Sequence, residues 1–179
     1  MEDQDLIYRV LNGNVDAFRL LYARHKTAAW NVAMYICKNE TLAKDAVQVS
    51  FTNAYQYLRS FHKSSSFKTW LLRIVKNECY RIMKLESKYY GDGDIDVNDS
   101  VQDDWSIEHT LEKEDTKKWI SNVLSKMKVN EALMLQLFYL QELKIKEIGE
   151  IVGCTEGSAK VVLHRARKSF RSIIEKTVN

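Results

Sequence analysis

The apolar residues of this 179-residue chain recur at helical spacing almost from end to end, and the rhythm breaks only once. Phe18, Leu21, Ala29, Ala33 and Ile36 fall roughly on one stripe, with Trp30 and Cys37 beside it. Leu42, Ala46, Val49 and Ala54 carry the period on, alongside Phe51, Tyr55 and Leu58. Phe67, Trp70, Leu71, Ile74, Val75 and Ile82 mark a third long helix. After the break come Leu111, Trp119, Ile120, Val123, Leu124 and Met127, then Leu133, Leu137 and Leu140, then Ile145, Ile148, Ile151 and Val152. Ala159, Leu163, Ala166, Phe170 and Ile174 close the series. A recurrence of about 3.6 residues predicts amphipathic helices, and no segment shows the strict alternation of a half-buried strand. The expected fold is all-α.

The break is the acidic run Gly91-Asp92-Gly93-Asp94-Ile95-Asp96-Val97-Asn98-Asp99-Ser100-Val101-Gln102-Asp103-Asp104. Its apolar residues are few and scattered, so burial cannot offset the entropy of ordering it. It predicts an acidic flexible linker over 87–108, joining a helical domain at 1–86 to a second at 109–179. Each domain is small, and a small core is helped by a partner. The chain has no Pro and only 6 Gly, so the linker draws its freedom from Asp, Gly and Ser. The same counts exclude a stiff Pro-rich spacer and a Gly-rich phosphate cradle.

A formal net charge of +3 hides a partition. Residues 1–85 carry 13 basic and 7 acidic side chains, residues 86–118 carry 4 and 11, and residues 119–179 carry 10 and 6. Salt screens exposed charges beyond about 8 Å, so these blocks act locally. Two basic modules flank an acidic connector. The pattern leads us to expect that the connector and packing between the domains mask the basic faces of the free chain.

Residues 145–170 read as helix, tight turn, helix. Ile145-Lys146-Glu147-Ile148-Gly149-Glu150-Ile151-Val152 is followed by Gly153-Cys154-Thr155, and Thr155 suits an N-cap. Ala159, Leu163, Ala166 and Phe170 form a buried stripe. Lys160, His164, Arg167, Lys168 and Arg171 form a separate basic one, flanked by Arg165, with no acidic residue between Ala159 and Arg171. A helix-turn-helix places its second helix in the major groove with its N-terminal residues at the bases. Ser158 and Lys160 can read base edges there, Val161 can meet a thymine methyl, and the later arginines suit phosphates. The plainer reading is a solvated basic face on an ordinary helical hairpin.

A second unusual stretch is Arg59-Ser60-Phe61-His62-Lys63-Ser64-Ser65-Ser66-Phe67-Lys68-Thr69-Trp70. It is a short basic loop framed by aromatics. Aromatics among cations suit unstacked nucleic acid, and hydroxyls and loop amides can hold an extruded base. Phe67 and Trp70 fit better as core anchors, which leaves the loop as the contact.

These two stretches carry a family resemblance. Asp45-Ala46-Val47-Gln48-Val49-Ser50-Phe51, Phe61, Ser66-Phe67-Lys68-Thr69-Trp70-Leu71, Ile74 and Asn77 resemble the N-terminal domain of bacterial RNA polymerase sigma factors of the extracytoplasmic-function (ECF) type, in the sigma-70 family. Glu147-Ile148, Gly153, Glu156-Gly157-Ser158-Ala159-Lys160 and Leu163-His164-Arg165-Ala166-Arg167 resemble the C-terminal one. Their order and separation make the match specific. The resemblance implies that Asp45, Gln48 and Phe51 meet the core polymerase. It implies that Arg59, Phe61, His62, Lys63, Ser64, Ser65, Lys68 and Asn77 bind and melt the promoter −10 element. Thr155, Ser158, Lys160, Val161, His164, Arg165, Arg167 and Lys168 would read the double-stranded −35 element. It implies an anti-sigma factor as a further partner, and a linker running toward the RNA exit path. Several positions depart from the family pattern, among them a missing Pro near Lys128. Val49 stands where Glu is usual, Arg81 where Asp is usual, and Val162 where an Arg is usual, which removes an expected basic contact.

Other chemistries lack the residues they need. The Asp-x-Asp-x-Asp run lacks the Gly and closing Glu of a calcium loop. Cys37, Cys79 and Cys154 lack zinc spacing and form no disulfide framework, which suits a reducing cytosol. His25, His62, His109 and His164 form no local ligand pair, and no nucleophile–base set assembles from neighbours. No apolar run is long enough to span a membrane, and the acidic start is unlike a secretory signal. The chain is therefore expected to be a cytoplasmic, non-catalytic specificity subunit with no cofactor, metal, small-molecule substrate or direct membrane insertion. Rival readings are a helix-turn-helix regulator acting without polymerase binding, and a protein–protein adaptor.

Overall fold

The structure, a computed structural model, describes residues 1–62, 65–90 and 119–178. Among these it is helical throughout, without strands. Helix α1 spans Asp3–Leu11, α2 Val15–Cys37, α3 Glu40–Gln56 and α4 Phe67–Tyr90, with a 3₁₀ turn at Leu58–Ser60. Helix α5 is described over 119–125. Then come α6 (Val129–Leu135), a π-helical turn (Gln136–Leu140), α7 (Ile145–Val152) and α8 (Glu156–Val178).

Local chemistry sets the corners. Asn14 accepts the Ala17 amide at 3.2 Å and Asn39 accepts the Leu42 amide at 3.0 Å, capping α2 and α3. Lys38, in the left-handed region at φ 48°, ends α2 and turns the chain directly into α3. Asp3 ties α1 to α2 through Arg24 and His25.

The expected stripes face inward. Leu21, Ala29, Ala33 and Ile36 on α2, Ala46 and Ala54 on α3, and Leu71 and Val75 on α4 are fully buried. Ala159, Leu163 and Ala166 are buried on α8. Two expectations are corrected. Leu140 is 58% exposed, because the π turn inserts an extra residue per turn and rotates it off the stripe. Helix α4 runs on to Tyr90, so 87–90 are helical rather than the start of a linker. The acidic run itself, together with Leu111 and His109, lies outside the described residues.

The two helical units pack on each other. Helix α4 lies against α7 and α2 against α6, and the buried apolar residues of both units form one continuous cluster. Tyr35 on α2 donates to the Leu124 carbonyl at 2.9 Å, and burial pushes its phenol well above the ordinary range.

Candidate nucleic-acid interface

The hairpin of α7 and α8 is closed by glycine geometry. Gly153 sits at φ 83°, where a side chain would be strained. Its amide and that of Cys154 both reach the Gly149 carbonyl at 2.9 Å. A Cβ at Gly149 would lie 2.9 Å from the Cys154 carbonyl oxygen, so the turn folds onto bare backbone. Thr155 caps α8: its hydroxyl oxygen accepts the Ser158 amide at 3.2 Å and donates to the Ser158 hydroxyl at 3.0 Å.

The first turns of α8 beyond that cap face solvent. Val161 is 64% exposed, and Ser158, Lys160, His164, Arg165, Arg167 and Lys168 are exposed with it. Three of the cations have partners of their own. Lys160 bonds Glu156 one turn back at 2.8 Å, which holds that carboxyl below its ordinary range. Arg165 faces Glu131 at 3.9 Å. Arg167 donates to the Tyr139 hydroxyl at 2.9 Å and lies over the rings of Phe138 and Tyr139 at 5.2 and 5.6 Å. Val162 is half-buried against the core, so that position supplies packing rather than an exposed contact.

Phe61, Phe67 and Trp70 form an aromatic cluster at the start of α4. Phe67 is buried, and its ring lies 5.3 Å from His25, 6.0 Å from Phe61 and 5.8 Å from Trp70. Phe61 and Trp70 close the triangle at 5.3 Å. Edge and tilted contacts of this kind add to simple burial. Burial lowers the His25 pKa below the ordinary histidine value, the Asp3 carboxylate opposing it. Arg59 and His62 are exposed and Ser65 is half-buried; Lys63 and Ser64 lie outside the described residues. Ser66 caps α4 by accepting the Thr69 amide at 3.1 Å. Asn77 is exposed about three turns into α4. Arg81 bonds Glu78 within α4 at 2.7 Å, and the other oxygen of Glu78 accepts from Asn53 on α3.

On α3, Asp45 and Gln48 are exposed one turn apart. Phe51 is not beside them at the surface: it is buried at 5% and stacks edge-on with Tyr22 at 4.6 Å. It packs between α3 and α2. Sequence reasoning missed the adjoining groove, lined by Tyr22, Lys26, Thr27, Trp30 and Val47. The four-residue spacing of Tyr22, Lys26 and Trp30 on α2 is the signal that marks this face.

The chain matches the family models for sigma-70 region 2 over residues 21–89 and sigma-70 region 4 over residues 117–170. It is 27% identical to the ECF RNA polymerase sigma-E factor of Haemophilus influenzae, over 98% of this chain and 96% of that one. It is 28% identical to the ECF sigma factor SigW of Bacillus subtilis, over 92% of each. The fold matches the sigma factor RpoE of Bartonella quintana, solved with the anti-sigma factor NepR, at a TM-score of 0.73 and 22% identity, over 90% of this chain and 98% of that one. It also matches CnrH, solved with the cytosolic domain of CnrY, at 0.71 and 20%, over 97% of each. Two sigma-70 modules in this order, joined on one helical fold, define a promoter-specificity factor. The chain belongs to the sigma-70 family, in its ECF branch, and directs promoter-specific transcription initiation through RNA polymerase.

Proposed function

We propose that the three exposed faces divide the work of initiation. Asp45 and Gln48, with the groove at Tyr22 and Trp30, dock on the core polymerase. Arg59, Phe61, His62, Lys63, Ser64, Ser65, Lys68 and Asn77 hold the melted −10 strand. Thr155, Ser158, Lys160, Val161, His164, Arg165, Arg167 and Lys168 engage the −35 duplex. The domains are 1–86 and 109–179, with 87–108 between them, the first few residues of that span extending α4.

The observation that carries this reading is the pair of basic elements on separate units. One is a helix whose first turns are exposed, the other a stretch that runs into the aromatic cluster of Phe61, Phe67 and Trp70. A duplex asks for the first, since a helix fits the major groove. An unpaired strand asks for the second, since extruding a base costs a few kcal/mol that a shaped contact must offset. The protein supplies recognition and the polymerase the chemistry, so it is not itself an enzyme. No helix among the described residues is long and apolar enough to cross a membrane. We place the protein in the cytoplasm, where the transcription machinery is, with an anti-sigma factor as a further partner in keeping with the solved relatives.

Run-off transcription by core polymerase with and without this protein is the test. Promoter-dependent product only in its presence is expected, and its absence together with failure to bind core polymerase would refute the reading. Replacing Phe61, His62 and Lys63 is expected to impair open-complex formation more than core binding. The reverse would move the polymerase contact to the loop.

A further inference from the structure

We propose that Cys37 and Cys79 form a redox-active dithiol, which a peroxide converts into a disulfide tying the end of α2 to the middle of α4. Cys37 is the last residue of α2, and Cys79 lies about halfway along α4. The two helices pack on each other, and both cysteines are buried, Cys37 at 7% exposure and Cys79 at 0%. A lone buried thiol behaves as a small apolar side chain. These two are hydrogen-bonded to each other across the helix pair. The third cysteine, Cys154, is exposed in the turn before α8, on the other unit. Neither thiol of the pair has a part in promoter recognition as proposed above.

The two sulfurs are not equivalent. The Cys79 thiol donates and the Cys37 sulfur accepts, which lowers the Cys37 pKa below the ordinary thiol value against the opposing effect of burial. The same bond, with burial added to it, pushes the Cys79 pKa up, so Cys79 keeps its proton. The thiolate is the nucleophile, so Cys37 reacts first. Cys37 is also the more accessible of the two, because α2 ends there and Lys38 turns the chain away at φ 48°. Burial of this degree admits only a small oxidant, of which hydrogen peroxide is the simplest.

The reaction balances with peroxide alone. The Cys37 thiolate attacks one peroxide oxygen, an S–O bond forms and the O–O bond breaks. The departing hydroxide takes up the proton that Cys37 gave up and leaves as water. The Cys79 sulfur then attacks the Cys37 sulfur, the S–S bond forms and the S–O bond breaks. The hydroxyl leaves with the Cys79 proton as a second water. The thiol pair loses two electrons and two protons in all, and the peroxide is reduced to water. A thiol reductant reverses the change by exchange. The disulfide encloses residues 38–78, a segment that holds Asp45 and Gln48 on α3 and the basic stretch before α4. Closing a loop of that length removes freedom from the unfolded chain, so oxidation stabilises the N-terminal unit around both of these elements.

The test uses the full-length chain with Cys154→Ser, which removes the exposed thiol and leaves the pair untouched. The folded, reduced protein is treated with hydrogen peroxide and followed by intact mass, peptide mapping and thermal unfolding. A monomer lighter by two hydrogens is expected, with Cys37 and Cys79 recovered in one linked peptide pair and separated again by dithiothreitol. The melting temperature of the oxidised chain is expected to rise by about 10 °C over the reduced one. In Cys79→Ser, which keeps a donor for Cys37, oxidation is expected to stop at the sulfenic acid, trapped on Cys37 as a single dimedone adduct. In Cys37→Ser no adduct is expected. An unchanged mass, a sulfinic or sulfonic acid without a crosslink, disulfides formed only between chains, or a melting temperature that does not rise would each overturn the proposal, as would an adduct on Cys79 in Cys37→Ser. Should either serine variant fail to fold, the crosslink and the melting shift of the Cys154→Ser chain decide the matter.

Discussion

The loop before α4 and the exposed face of α8 are both basic, yet they are restrained in opposite ways. The cations of α8 are held within their own unit, at the surface, by Glu156, Glu131 and Tyr139. At the start of α4, Ser66, Lys68 and Thr69 are held by the other unit, partly out of water. The first kind of restraint can be exchanged for phosphate one side chain at a time, because exposed ion pairs are weak and screened. The second kind yields only when two units part. The cations of α8 can therefore change partners while the two units stay packed, whereas Ser66, Lys68 and Thr69 change theirs only when the units part.

The largest test of that contrast lies in the aromatic cluster. Phe67→Ala removes the ring on which His25, Phe61 and Trp70 all rest, and an aromatic truncation in a core costs about 3–5 kcal/mol. Val161→Ala on the bare face of α8 is expected to stay within about 0.5 kcal/mol. Chemical denaturation of the two variants checks this. Equal midpoints would mean that the aromatic cluster adds nothing to the start of α4.

A smaller effect is expected at the α7–α8 corner. Gly153→Ala places a Cβ on a left-handed backbone, costing about 1–2 kcal/mol. The same denaturation assay reads it. A neutral result would show that the corner relaxes and that the presentation of α8 does not depend on it.

The contrast also has a pH signature on the α4 side alone. Burial holds the folded-state His25 pKa below its ordinary value of 6.5, against the opposing Asp3 carboxylate. The unfolded chain therefore binds a proton that the folded chain refuses. Stability is full above about pH 6.5 and declines as the pH falls below it, toward the lowered folded value. Denaturation midpoints at pH 7.5 and 5.5 are expected to differ in that sense, and the difference is expected to shrink in His25→Gln. A midpoint that rises on acidification would reverse the sign and place the Asp3 attraction above burial.

Much of this was legible in the sequence where the cause is local. The stripe at Ala159, Leu163 and Ala166, the Gly153 turn and the Thr155 cap lie within one short stretch of chain, 153–166, and spacing suffices to find them. Phe67 was readable as a core anchor because it falls on the period of α4. What spacing could not show is long-range or irregular. The Thr69–Glu147 bond joins residues far apart in sequence, and no periodicity links them. The π turn at Gln136–Leu140 changes the number of residues per turn, so a 3.6-residue count misplaced Leu140. How deeply Phe51 and Val162 are buried was likewise beyond spacing: a motif names a position, but only packing tells which way its side chain points.

The smallest expected effect separates two arginines that the sequence treats alike. Arg165 faces Glu131 at a loose 3.9 Å, while Arg167 is bonded to Tyr139 and stacked on two rings. If α8 exchanges its partners for phosphate, each arginine that reaches DNA contributes about 0.9 to the slope of log affinity against log salt. Over a fourfold salt range that is about 3.5-fold in affinity per contact. Arg165→Ala and Arg167→Ala are each expected to lower the slope by about one unit in binding to −35 duplex. Tyr139→Phe, which frees the Arg167 head without removing it, is expected to leave the slope unchanged and to raise affinity slightly. A slope that falls in Arg165→Ala but not in Arg167→Ala would assign Arg167 to the helix packing of its own unit. The DNA face of α8 would then narrow to Lys160, His164, Arg165 and Lys168, which is the face left when every cation with an aromatic partner is set aside.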